Sequence, residues 1–347
     1  MKLGVLYAGG EANCHYRAVV PLGALARRGH QVRWLKEPSR VPSLDQLSGC
    51  ELVHAHRCLT AEHLELFLAL RERGVAIVWD NDDDLSAAPK LTRKHDGLSR
   101  RELRRIYERT IEIARHADLM TTPSQHLAAK YRAAGVERVQ VIENALHPDD
   151  TRRRRNRHRG LVIGCVAGRE HRSDLAKLKI EGVLRTVLER HAGVRVVTYG
   201  EHLELRDPRY VPRDDVGIEQ LIRNETEFDI GIAPLVDSPL NRARSDIKLK
   251  EYAAAGAMWL ASPIGPYVGM GEEQGGLLVA DREWLPTIGA LVEDHERRLR
   301  LTENARNWAK RQTVEQTVGA WEAAFRGAIE RARRRRGPRS QLTGMRG

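Results

Sequence analysis

Short apolar runs alternate along this chain with longer segments whose apolar residues recur every three or four positions. Residues 3–7, 31–35, 52–55 and 75–79 are the apolar-rich runs of the first half, and each gives way to polar residues. Runs of this length read as strands buried on both faces, which predicts a parallel sheet with helices packed on either side. Between them, residues 17–28 read as a helix stopped by Gly29. Residues 99–117 carry the clearest helical pattern. Ser99 and Glu102 have capping-box spacing, and Leu103, Ile106, Tyr107, Thr110, Ile111 and Ala114 share one face. Residues 118–122 and 139–142 supply further strands.

The alternation restarts at 161–166 and continues with strands at 194–199, 229–233 and 258–261. A chain of 347 residues exceeds one ordinary core, so two doubly wound α/β domains are expected rather than one very wide sheet. The expected organisation is a Rossmann-like domain over 1–150, an arginine-rich linker over 151–160 and a second domain over 161–310. A helix over 311–330 and a basic, solvated tail over 331–347 follow. The amphipathic stretch 291–331 carries Leu299, Ala305, Trp308, Val318, Trp321 and Phe325. No repeat of 20 to 50 residues is visible.

Composition narrows the class. No apolar run reaches the ~18 residues of a membrane span, and residues 1–10 lack the basic start and long apolar stretch of a signal peptide, so a soluble cytoplasmic protein is expected. Cys14, Cys50, Cys58 and Cys165 are widely spaced and form neither a disulfide framework nor a zinc motif. The net charge of +11 points towards nucleic acid, but residues 151–160 hold six arginines and residues 331–347 hold seven. Without those thirteen the remainder carries −2. The basicity is therefore local, and the tail is the place for a weak contact with an anionic surface.

Open parallel sheets bind ligands beyond the carboxyl ends of their strands, so the residues after each strand are the candidates. Gly9 and Gly10 follow the opening strand and read as a plain turn or as a loop that lets the backbone approach a ligand. Asp80, Asn81, Asp82, Asp83 and Asp84 follow the strand at 75–79; such carboxylates face solvent or need basic partners, helix termini or a metal. Gly168, Arg169, His171 and Asp174 follow the strand at 161–166, where a guanidinium offers forked donors to phosphate and His171 and Asp174 read equally as helix caps. Tyr199 ends another strand and is a candidate for lining a base pocket. Asn241, Arg244 and Ser245 offer donors to a sugar or phosphate ahead of the helix carrying Lys248 and Glu251. Those two lie three positions apart, on one face of the helix's first turns, where backbone N–H groups favour anions. The plain alternative is an ordinary exposed ion pair.

Residues 245–263, SDIKLKEYAAAGAMWLASP, resemble the donor-binding stretch of family-four-like glycosyltransferases of the GT-B fold, through Lys248, Glu251, Tyr252, Ala254, Gly256, Ala261 and Ser262. Gly164 to Asp174 is similar to the element that opens the nucleotide-sugar domain in that family, and Tyr16, Arg17 and Pro21 to its opening motif. The resemblance implies two Rossmann-like domains facing across a cleft, with a C-terminal helix crossing back to the first. It implies transfer of a sugar from a nucleotide diphosphate sugar (UDP-, GDP- or ADP-linked) to an unidentified acceptor, with retention and with no metal or other cofactor required. Lys248, Arg169 and Arg244 would then draw charge from the leaving diphosphate and Glu251 would hold the ribose. Asp82 or Asp83 would orient the acceptor or stabilise positive charge on the sugar. One departure stands out. Many relatives carry a second glutamate eight positions before Glu251, where this chain has Ala243; Asp246, Asp237 or a main-chain amide are the substitutes. The alternatives are a nucleotide-sugar epimerase or phosphorylase on the same fold, a transferase or binding protein acting on nucleic acid through the arginine blocks, and a non-catalytic binding module.

Overall fold

The computed structural model of the chain describes residues 1–7, 12–36, 41–87, 99–153 and 158–336. It divides into two compact units. The first comprises Met1–Ser86, Ser99–Glu143 and the chain from Thr317, and the second comprises Asn144–Gln316. The first unit thus takes back the last helix, and its boundary falls a few residues before the expected 150.

In the first unit the strands are β1 (Lys2–Tyr7), β2 (Gln31–Lys36), β3 (Leu52–His56), β4 (Ala76–Asp80), β5 (Leu119–Thr122) and β6 (Val139–Val141). They form one parallel sheet in the order β2-β1-β3-β4-β5-β6. Every residue of β3 and β4 is buried, as expected for strands covered on both faces. The helix Arg100–His116 begins with the expected capping box, the Ser99 amide donating to Glu102 at 2.7 Å and the Glu102 amide to Ser99 Oγ at 3.3 Å. The expected helix at 17–28 starts earlier and less regularly. A short turn, Ala12–Cys14, and a π-helical stretch, His15–Val19, lead into the helix Val20–Arg27.

The last helix, Val314–Arg336, enters this unit and seats Trp321, 1% exposed, edge-on to His54 at 5.6 Å, with Arg17 over its ring at 4.9 Å. Truncating an aromatic buried to this extent costs ~3–5 kcal/mol. The helix continues through the start of the expected solvated tail. Arg331 donates to the Asp118 carbonyl at 3.0 Å, and Arg335 pairs with the Asp118 carboxylate. Residues 337–347 lie outside the described residues.

The second unit contains β7 (Leu161–Ala167), β8 (Val194–Gly200), β9 (Tyr210–Arg213), β10 (Ile230–Ala233), β11 (Met258–Ala261) and β12 (Gly276–Leu278). They pair in parallel in the order β12-β11-β10-β7-β8-β9. Successive residues of β7 alternate between two cores: Ile163 and Cys165 pack with Val196, Ile232 and Leu260, while Val162 packs with Val197, Phe228 and Trp259. Neighbouring β7 and β10 are the strands at which the winding direction reverses, the switch point of a doubly wound sheet. The expected amphipathic stretch 291–331 is broken into separate helices, because Asp294 caps a new helix, His295–Ala309, by accepting from the Arg297 amide at 2.9 Å. All four cysteines are buried and none is in a disulfide, and among the described residues no helix is long and apolar enough to cross a membrane.

Candidate active site

The site grows from the carboxyl ends of β7, β10 and β11. The helix Ile247–Ala255 is inserted between β10 and β11, and its Tyr252 fixes it to the switch point. The Tyr252 hydroxyl donates to the Ile232 carbonyl at 3.1 Å and accepts from the Val166 amide at 3.1 Å, joining the ends of β10 and β7. A Cβ on Gly231 would stand 2.4 Å from the Tyr252 ring, so only glycine lets the ring lie flat on β10.

With Tyr252 directed into the sheet, Lys248 and Glu251 project from the same helix towards the β7 end. Lys248 Nζ lies 2.8 Å from Glu251 Oε2; the lysine side chain is 23% exposed and the carboxylate 2%. Burial alone would lower the Lys248 pKa, but the carboxylates of Glu251 and Glu225 outweigh it and raise the value above that of an ordinary lysine. The ammonium therefore remains charged. It faces Cys165 of β7, whose thiol burial pushes up to about 12 against the opposing pull of Lys248.

Arg244 and Tyr267 extend this wall. Gly265, at φ +58, brings its backbone against the Asn241 carbonyl, where a Cβ would be 2.5 Å away; the turn delivers Tyr267 beside Arg244 and Lys248. Burial raises the Tyr267 phenol to about 12, opposed by those two cations, so it is neutral and able to donate a hydrogen bond. Arg244 Nε donates to Asn241 Oδ1 at 3.3 Å, and its Nη2 lies 3.7 Å from Glu170.

The turn after β7 completes the site. Gly168 precedes the 3-10 turn Arg169–His171, which exposes Arg169. His171 makes no cap of the following helix; instead its Nδ1 pairs with Asp174 Oδ2 at 3.1 Å. Burial, aided by Arg244, lowers its pKa, so the imidazole is neutral at pH 7. Asp174 is a brace, accepting from Asn241 Nδ2 at 3.0 Å and from the Val236 amide at 3.3 Å. Ser245 Oγ accepts from Asn144 Nδ2 at 2.9 Å.

Two charged side chains of this unit gave no sign of themselves in the sequence. Lys250 is 1% exposed and reaches the Asn144 carbonyl and Asp246 Oδ1, each at 2.9 Å. Glu225 is fully buried, and neither carboxyl oxygen finds a hydrogen-bond partner among the described residues. Burial and the neighbouring Glu251 drive its pKa well above the ordinary value, Lys248 opposing. Ala243, where relatives carry a glutamate, is fully buried. Of the suggested substitutes, Asp237 is paired twice with Arg242, at 2.6 Å each, and Asp246 with Lys250.

In the first unit, the acidic run after β4 is resolved by basic partners. Asp80 is fully buried, pairs with Arg17 at 2.7 Å and accepts from His56 at 2.8 Å and Thr121 at 2.6 Å. Burial would raise its pKa, but Arg17 and His56 overcome that and hold it far below the carboxylate range. Arg57 binds Asp82 at 2.7 Å and also Asp83, while Lys130 binds Asp84 at 2.6 Å. Among the described residues no group of three or more histidine, cysteine or carboxylate side chains is arranged as a metal site.

No protein-family model matches the chain, and no curated protein sequence does. Solved structures do match. An alpha-glucosyltransferase in complex with UDP and a 13-mer DNA containing an HMU base superposes with a TM-score of 0.68 at 11% identity, over 94% of this chain and 99% of that one. HepE of Anabaena, in complex with UDP and glucose, superposes with a TM-score of 0.62 at 16% identity, over 94% and 99%. A putative UDP-N-acetylglucosamine 2-epimerase from Listeria monocytogenes gives 0.58 at 12% identity, over 95% and 97%. The fold is GT-B. Within this GT-B chain, Gly168, His171, Asn241, Arg244, Ser245, Lys248 and Glu251 gather at the switch point of the second sheet, with Arg169 on the adjoining turn. Tyr199 faces the core instead, its hydroxyl bound to Glu227 at 2.9 Å and to Arg213. Asp82 and Asp83 belong to the first unit, and Gly9 and Gly10 lie outside the described residues.

Proposed function

We propose that this chain is a glycosyltransferase that moves a sugar from a UDP-sugar to an acceptor hydroxyl, with retention at the anomeric carbon and with no metal required. The observation that carries the reading is Lys248: a charged ammonium, partly open, held by a closed carboxylate at the switch point of the second sheet. The reaction breaks the bond between the anomeric carbon and the diphosphate oxygen, forms one to the acceptor oxygen and releases the acceptor's proton. Negative charge grows on the departing UDP, and cations fixed in advance lower that barrier. We assign this role to Lys248 and Arg169, with Arg244 beside them. Glu251 takes the ribose hydroxyls, while Asn241, Ser245, Gly168 and His171 line the donor pocket. Asp82 and Asp83, tethered by Arg57, are assigned to the acceptor hydroxyl.

UDP as the carrier is supported by the UDP held in the glucosyltransferase and HepE complexes. The DNA in the first of these makes nucleic acid one acceptor class to assay. Four buried cysteines outside any disulfide accord with a cytoplasmic setting. A thermal-shift screen of UDP-, GDP- and ADP-sugars tests the donor assignment, since a bound donor raises the melting temperature by mass action. A rise with UDP-sugars alone is expected; absence of any shift rejects the reading. Product analysis by NMR separates transfer from isomerisation of the donor, the reaction class named for the Listeria neighbour.

A further inference from the structure

A cavity of about 550 Å³ opens at the end of the second sheet opposite the candidate donor site. It is lined where β7 and β8 begin, at Leu161 and Val194, and by Asp229 just before β10. The seven residues of β7 separate it from the donor site by ~20 Å at the rise of an extended strand. Its volume is that of an ordinary small-molecule pocket.

Its chemistry is one-sided. Arg298, on the helix His295–Ala309, is half-buried in the wall. Its guanidinium donates to the carbonyls of Leu291 and Val292, the latter at 2.8 Å, and meets His295 Nδ1 at 3.2 Å. Two of these partners are backbone carbonyls, and among the described residues no carboxylate lies within ion-pair distance of Arg298, the Asp294 carboxylate acting on it from further off. His191 joins His295 on the lining. Asp229, the acid in the lining, is turned to the sheet, where its Oδ2 accepts from the Val162 amide at 2.7 Å and lies 3.5 Å from His158. Val292 and Leu299 also line the cavity, the latter 51% exposed. A half-buried cation whose direct partners are two carbonyls and a ring nitrogen gains from an anion that brings its own charge, and the uncovered leucine gains from an apolar body.

We propose that this cavity is a binding site for a small phosphate-bearing molecule with an apolar or ring body, its phosphate on Arg298 and the two histidines and its body against Leu299. It is separate from the donor site and does not depend on the function proposed above.

The test uses the full chain and calorimetric titration with phenyl phosphate, phenol and inorganic phosphate. Phenyl phosphate should bind at least about tenfold more tightly than either half alone. Arg298→Gln should weaken it by about tenfold or more, as loss of a charge-assisted contact does. Because Arg298 also holds two carbonyls, a second variant leaves it in place: Ala192→Trp puts an indole into the cavity from an exposed lining position and should abolish binding. UDP titrations run alongside should be the same in both variants and wild type. The proposal is overturned if phenyl phosphate does not bind, if it binds no better than inorganic phosphate or phenol, or if both variants bind it like wild type.

Discussion

Lys248 and Glu251 form an ion pair of 2.8 Å in which the cation is partly open and the anion is closed. The asymmetry gives the pair two roles that can be separated. Lys248→Ala removes the counter-ion of a buried carboxylate, so it should lower stability as well as turnover. In the double variant Lys248→Met/Glu251→Gln no buried charge is left uncompensated. Thermal melts should show stability recovering in the double variant, while turnover stays depressed by ~10²-fold or more. Recovery of turnover together with stability would reduce Lys248 to a structural lysine.

Glu225 contributes a pH dependence. Its folded pKa lies above the unfolded value of 4.5, so the folded state holds a proton that the unfolded state releases. This contribution is complete below about pH 4.5 and is lost as pH rises towards the folded pKa. Glu225→Gln keeps the shape and removes the titration. The variant should match wild type near pH 4 and melt a few degrees higher near pH 8. Equal melting differences at both pH values would mean that Glu225 is ionised in the fold.

In the first unit, Asp80 neutralises Arg17 where neither side chain reaches water. Asp80→Asn takes the buried carboxylate charge away from Arg17, at an expected cost of ~3–5 kcal/mol. Denaturant unfolding should register it, whereas Asp83→Asn, at a carboxylate 33% exposed, should change stability little.

Tyr252→Phe removes the hydroxyl joining Val166 and Ile232 and leaves the Val166 amide and the Ile232 carbonyl without that partner. A loss of ~1–3 kcal/mol is expected by chemical denaturation. Donor affinity should fall too, since the helix bearing Lys248 and Glu251 is no longer tied to β7.

The sequence made the strand ends legible, and with them most of the site. The run at 258–261 coincides with β11, and the helix before it stops at Gly256 in the left-handed conformation. β9 and β12 were missed because neither has a long apolar run: β9 has a proline among partly exposed residues, and β12 is three residues starting at a glycine. Direction was harder to read than position. Nothing in the local pattern says that Lys250 turns inward to a carbonyl 106 residues away, or that Glu225 is buried against Glu251. In the acidic run, Asp82 and Asp83 stand out as a motif, but Asp80 and Asp84 are the ones driven inward, Asp80 by partners 63 and 24 residues distant and Asp84 by Lys130, 46 residues away. Such pairings are long-range and leave no periodic trace.

The most direct test is calorimetric titration of UDP into the wild-type chain and into Lys248→Met/Glu251→Gln, whose folding is checked by its melt. Saturable 1:1 binding to wild type is expected, weakened by at least about tenfold in the double variant. Unaltered UDP affinity in a folded double variant, or no binding to wild type, would contradict it.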